Sequence, residues 1–157
     1  MSLFLGLYSN AVPGMVRSRL FSRDAGHCVY ESDLVHKQAG GALVCTDATK
    51  REFWTRWVSS IDFVVTNPPF SLASSILPLA YEHARVGVAF LLRLSYLEPC
   101  RDRADWLVQH PLTKLIVLPR ISFTGDRKTD SVTCGWFVWI KGDFSQRIEV
   151  VSRVGER

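Results

Sequence analysis

No stretch of this chain is apolar for long enough to cross a bilayer. The longest such run, Val86 to Leu92, falls far short of the roughly 20 residues that a spanning helix needs. The opening segment MSLFLGLYSN has neither a basic leader nor a clear small-residue cleavage site, so a soluble, cytoplasmic protein with no membrane partner is expected. The four cysteines (Cys28, Cys45, Cys100, Cys134) form no C-x-x-C pair. That argues against a zinc site and a secreted disulfide framework, and leaves reduced, mostly buried thiols and no metal. No repeat, low-complexity tract or linker divides the sequence, which reads as one domain over residues 1–157. Neither a Cys–His pairing nor a cluster of carboxylates is evident, so His27, His36, His83 and His110 are read as structural or surface residues.

What is present is the balance of an ordinary globular core: 47% apolar and 22% charged residues in 157. Nineteen basic against fifteen acidic residues give a formal charge of +4, which suits an anionic partner without establishing one. The basic residues gather in three groups: Arg17, Arg19 and Arg23; Lys50, Arg51 and Arg56; Arg120, Arg127 and Lys128. Such groups near loops and helix ends could follow a phosphate backbone or simply form solvated surface.

Strand-like runs alternate with amphipathic stretches. Strands are expected at Leu3 to Tyr8, His27 to Glu31, Ala42 to Thr46, Asp62 to Thr66, Gly87 to Leu94, Lys114 to Leu118 and Val132 to Ile140. Several are continuously apolar, as in strands covered on both faces. Helices are expected at Met15 to Arg23, Arg51 to Val58, Leu72 to His83 and Cys100 to His110. This alternation predicts an α/β fold with a mostly parallel central sheet and helices on both faces. The Ile121 to Ser131 loop is too short and polar for a crossover helix, which predicts an antiparallel strand at the end of the sheet. In such sheets ligands sit where the strands end.

The strongest local signal is IDFVVTNPPFS, an apolar strand that stops abruptly at Asn67, Pro68, Pro69 and Phe70. Two prolines cannot donate to the ladder and fix their own torsions, so the turn is stiff. It would present Asn67 and the Pro68 carbonyl as fixed acceptors beside an aromatic ring. An ordinary strand-terminating turn with a buried Phe70 is the plainer reading of the same residues. The tryptophans, including the pairs Trp54/Trp57 and Trp136/Trp139, read mostly as core.

Here the sequence resembles the S-adenosylmethionine-dependent methyltransferases that act on exocyclic amino groups, especially the N6-adenine DNA methyltransferases of phages and bacteria. Their Asp/Asn/Ser-Pro-Pro-Tyr/Phe motif is matched by Asn67, Pro68, Pro69 and Phe70. AGHCVYESDL resembles their second strand and acidic turn, TDATK the third strand-end aspartate, and RISFTGDRKTDSVTCGWFVW the closing loop and last strand. The likeness covers roughly residues 25 to 142. It implies a Rossmann-like class I methyltransferase that uses S-adenosylmethionine, with Asn67 and Pro68 accepting hydrogen bonds from the amine of a flipped adenine and Phe70 stacking on it. It further implies that Asp33 or Glu31 accepts from the cofactor's ribose hydroxyls and Asp47 from its adenine amine. A strand-end aspartate is also a common turn former or helix N-cap, and Asp47 is well placed to cap a helix starting near Thr49. The family's Asp/Glu-x-x-x-Gly-x-Gly turn after the first strand is replaced by YSNAVPG, where only Asn10 and Gly14 are available to the cofactor. DNA is the expected partner, with the GDRKTD loop (Arg127, Lys128) and Arg120 as phosphate contacts. RNA or a protein amide as acceptor, a homo-oligomer, a truncated enzyme, and a silent nucleic-acid-binding remnant all stay open.

Overall fold

A computed structural model describes residues 4–9, 28–32, 47–55, 61–119 and 132–152. The chain is α/β and divides into two compact units, Met1–Phe90 and Leu91–Arg157. Among the described residues, no helix is long and apolar enough to cross a membrane.

The first unit contains strands β1 (Phe4–Ser9), β2 (Cys28–Ser32) and β3 (Phe63–Asn67), most of β4 (Gly87–Arg93), and helices α1 (Arg51–Thr55) and α2 (Ala73–His83). Its strand order is β2-β1-β3-β4. β3 and β4 are parallel, with Val64 opposite Val88 and Thr66 opposite Phe90. The α2 segment between them supplies the long connection that parallel neighbours require. Helix α2 forms because Ala73, Ile76, Leu77 and Ala80 fall at i, i+3, i+4 and i+7 and are all buried. Residues Gly87 to Leu92 of β4 are buried without interruption, the pattern of a strand covered on both faces. β3 instead alternates, burying Val64 and Thr66.

The mostly parallel sheet expected from the sequence is corrected here to a mixed one. β1 runs antiparallel to both β2 and β3. An apolar run such as FLGLYS has the same side-chain period read in either direction, so its orientation is set by pairing and not by its own residues. The expected strand at 42–46 and helix at 15–23 lie outside the described residues.

The second unit holds the last residues of β4, α3 (Ala104–Gln109), β5 (Lys114–Val117), β6 (Cys134–Ile140) and β7 (Arg147–Val150). β6 is antiparallel to β5, as the short polar loop requires. It does not end the sheet, however: the order is β6-β5-β7, and β7, absent from the sequence reading, takes the edge parallel to β5. Thr113 provides the physical reason. Its buried hydroxyl receives the Ile140 N–H at 2.8 Å and donates to the Asp143 carbonyl, while its own carbonyl receives the Arg147 N–H at 3.0 Å. The chain leaving β6 is thus fastened across the start of β5 and continues along its far side. Helix α3 is shorter than the expected span from 100 to 110, because residues 101–103 form a turn.

Tyr96, Phe137 and Trp139 form the aromatic core of this unit, with Trp106 edge-on to Trp139 at 5.5 Å. Trp54 and Trp139 are fully buried, as read from sequence. Cys134 is buried too, whereas Cys100 is exposed, which corrects the expectation of mostly buried thiols for that residue.

Candidate active site

The turn after β3 is the best-defined constellation in the first unit. Val64 and Thr66 anchor the strand in the core, and Asn67 is its last residue. Pro68 is buried; Pro69, at φ −53° and ψ 127°, turns the chain out of the strand, and its carbonyl receives the Leu72 N–H at 2.9 Å. A single 3-10 turn, Phe70–Leu72, leads directly into α2. Neither proline has an N–H, so the ladder ends here by covalent structure and not by fraying. Phe70 is half-buried at the start of that turn.

Oδ1 of Asn67 is buried and has no hydrogen-bond partner among the described residues. Leaving such an acceptor unpaired costs about 1–3 kcal/mol. A folded chain tolerates this most readily where a bound group supplies the missing donor.

Asp47 starts the segment that precedes α1. Its Oδ1 receives the Thr49 N–H at 2.9 Å and the Thr49 hydroxyl at 2.7 Å, and its carbonyl receives the Lys50 N–H at 3.1 Å. These contacts, the Thr49 hydroxyl above all, hold the Asp47 carboxyl below its ordinary range, with Lys50 adding to the effect. Asp47 therefore organises a turn before the helix, the structural role weighed for it from the sequence, while remaining an ionised acceptor. The sequence offers Thr49 only as a helix start, whereas the helix begins at Arg51 and Thr49 holds the Asp47 carboxylate; the Asp-x-Thr spacing was the available signal.

Helix α1 ties this turn to α2. The indole N–H of Trp54 donates to the Ala48 carbonyl at 2.8 Å, its ring lies 6.1 Å from that of His83, and Arg51 pairs with Glu82 at 2.7 Å. Of the second basic group, Arg51 is thus engaged within the protein, whereas Lys50 is exposed. His83 and His110 each bond through Nδ1 to a carbonyl four residues earlier at 2.9 Å, in keeping with their structural reading.

The sheet register places the remaining cofactor candidates. Ser32 pairs with Leu5, which pairs with Thr66, so the carboxyl ends of β2 and β3 lie at the same end of the sheet, with β1 between them. That brings the backbone of Glu31 to within two strand spacings, roughly 10 Å, of the strand carrying Asn67. The end of β1 goes the other way. Phe4 pairs with Asn67 and Tyr8 with Phe63, so Ser9 lies roughly 17 Å along the strands from Asn67. β1 therefore ends at the opposite end of the sheet from Asn67. Asn10, Gly14, Asp33, Arg120, Arg127 and Lys128 themselves lie outside the described residues.

Compared with models of protein families and with curated proteins, the chain matches none.

The donor set can be tested against S-adenosylmethionine by its chemistry. An ionised Asp47 and the acidic end of β2 suit the N–H and hydroxyl donors of that molecule. β1 ends at the opposite end of the sheet, and residues 10–14, which would supply the backbone-close turn, lie outside the described residues.

Proposed function

We propose that the chain is a Rossmann-like methyltransferase that transfers a methyl group from S-adenosylmethionine to the exocyclic N6 amine of adenine in DNA. The observation that carries this reading is the buried Oδ1 of Asn67, without a partner among the described residues, at the mouth of a rigid Pro-Pro turn. An adenine amine is a poor nucleophile because its lone pair is delocalised into the ring. Acceptors aimed at both of its hydrogens, Asn67 Oδ1 and the Pro68 carbonyl, favour the pyramidal form and stabilise the positive charge that develops on nitrogen. Phe70 offers a ring face to a base extruded from the duplex. S-adenosylmethionine, when bound, supplies a methyl group already activated on a sulfonium. The protein's part is then positioning more than proton abstraction, with Asp47 accepting from the cofactor's adenine amine and Glu31 or Asp33 from its ribose. Arg120, Arg127 and Lys128 are assigned to the DNA backbone.

The reversed β1 favours a second reading, a methyltransferase-like nucleic-acid-binding protein without turnover, because the strand ends away from Asn67 instead of beside it. The decisive assay measures transfer of labelled methyl from S-adenosylmethionine to unmethylated DNA, RNA and a glutamine-containing peptide, with Asn67→Ala as control. Incorporation into DNA that falls at least 100-fold in Asn67→Ala is the expected result. No incorporation from a folded protein that binds DNA but takes up no S-adenosylmethionine in calorimetry would replace the enzyme with the silent binder. Incorporation into RNA or peptide alone would change the acceptor.

A further inference from the structure

The second unit carries an unpaired sheet edge whose residues are arranged to pair with themselves. β7 lies parallel to β5 on one side and ends the strand order, so its other edge has no strand among the described residues. The Arg147 N–H bonds inward to the Thr113 carbonyl at 3.0 Å, and the Val151 N–H to the Val117 carbonyl at 2.9 Å. By the alternation of a strand, the N–H and C=O of Ile148 and Val150 point out of the sheet. The side chains of these two residues share the face of Leu115 and Val117, yet Ile148 is 73% exposed and Val150 72% exposed. Beside them opens a groove of about 380 Å³ lined by Leu97, Leu107, Leu115 and Val108, the last 80% exposed. The opposite face of β7 carries one charge of each sign, the exposed Arg147 and Glu149, whose half-buried partners are Asp143 at 3.3 Å and Lys114. A bare edge with a β-branched apolar strip templates pairing.

We propose that β7 pairs antiparallel with β7 of a second copy of this chain, about a two-fold axis at Ile148. The register follows from charge. With the axis at Ile148, Arg147 faces the second copy's glutamate at both ends, and the outward N–H and C=O of the two Ile148 residues exchange hydrogen bonds. An axis at Arg147 or Glu149 sets like charges opposite one another, and an axis at Val150 leaves Glu149 opposite Val151. A slip by one residue would set the apolar strip of one copy against the charged face of the other. The contact is isologous, as closed dimers require. A four-residue edge buries less than the roughly 800 Å² per partner of a permanent interface, so the dimer is concentration-dependent. The inference is independent of the methyltransferase reading.

The test is sedimentation of the full chain from micromolar to millimolar concentration. Wild type should pass from monomer to dimer. Ile148→Lys should stay monomeric while keeping its far-UV circular dichroism. Arg147→Glu gives an edge with two carboxylates and Glu149→Arg an edge with two cations, so each alone should dimerise at least tenfold more weakly than wild type. An equimolar mixture of the two should regain the dimer, a recovery that damage to the fold would not produce. A wild-type monomer throughout the range, single reversals that dimerise as well as wild type, or a mixture that fails to associate would each overturn the proposal.

Discussion

Replacing Asn67 with alanine deletes a buried oxygen that no described donor reaches. The loss of packing is offset by removal of an unsatisfied acceptor worth about 1–3 kcal/mol. Asn67→Ala should therefore stay within about 1 kcal/mol of wild-type stability in urea titration, even as transfer is lost; a larger destabilisation would make Asn67 a structural residue. Asp47 is the contrasting case, a carboxylate whose Oδ1 is already satisfied by Thr49. Its folded carboxyl lies below its unfolded value near 3.8. The stability it contributes is thus present above about pH 3.8 and is lost as pH falls through the lower, folded value. Thr49→Val should raise the Asp47 titration midpoint toward the ordinary value, as followed by carboxyl carbon NMR, and an unmoved midpoint would remove the hydroxyl contact. Of these two sites, the Asn-Pro-Pro-Phe turn was legible because two adjacent prolines constrain the backbone wherever they occur. Thr49's hold on Asp47 was less so, since an Asp-x-Thr spacing is compatible with many turns.

At the scale of elements, local periodicity was sufficient where it met burial. Ile76, Leu77 and Ala80 marked α2, and the apolar run from Gly87 marked β4. β7 escaped because a four-residue alternation of polar and β-branched residues, all exposed, is too short a strand signal by itself, and its place is decided only where Thr113 fastens the preceding turn against β5. The β5–β6 pairing holds a closer constraint at Gly135. A Cβ there would stand 2.7 Å from the Ile116 carbonyl oxygen and 3.3 Å from Cδ1 of Leu115. Backbone cannot yield as a side chain does, so Gly135→Ala should cost about 1–3 kcal/mol in urea unfolding. An unchanged midpoint would mean that β5 and β6 separate more easily than their register indicates.

For the whole molecule, the formal charge of +4 sets the expected behaviour toward DNA. Binding should weaken linearly with the logarithm of salt concentration, and neutralising Arg127 or Lys128 should each reduce the slope by about 1 without changing sequence preference. A slope unaltered by either substitution, measured by fluorescence anisotropy, would place the phosphate contacts elsewhere. The sequence by itself determined the α/β class, the parallel β3–β4 pair, the antiparallel β6 and the stiff turn that ends in Phe70, because periodicity, proline and connection length act locally. Only the tertiary structure decided the direction of β1, the strand that takes the sheet edge, and the burial of Asn67 Oδ1 without a donor among the described residues. Each of these depends on which groups distant in the chain come to lie side by side, and the side-chain pattern of a single segment leaves that choice free.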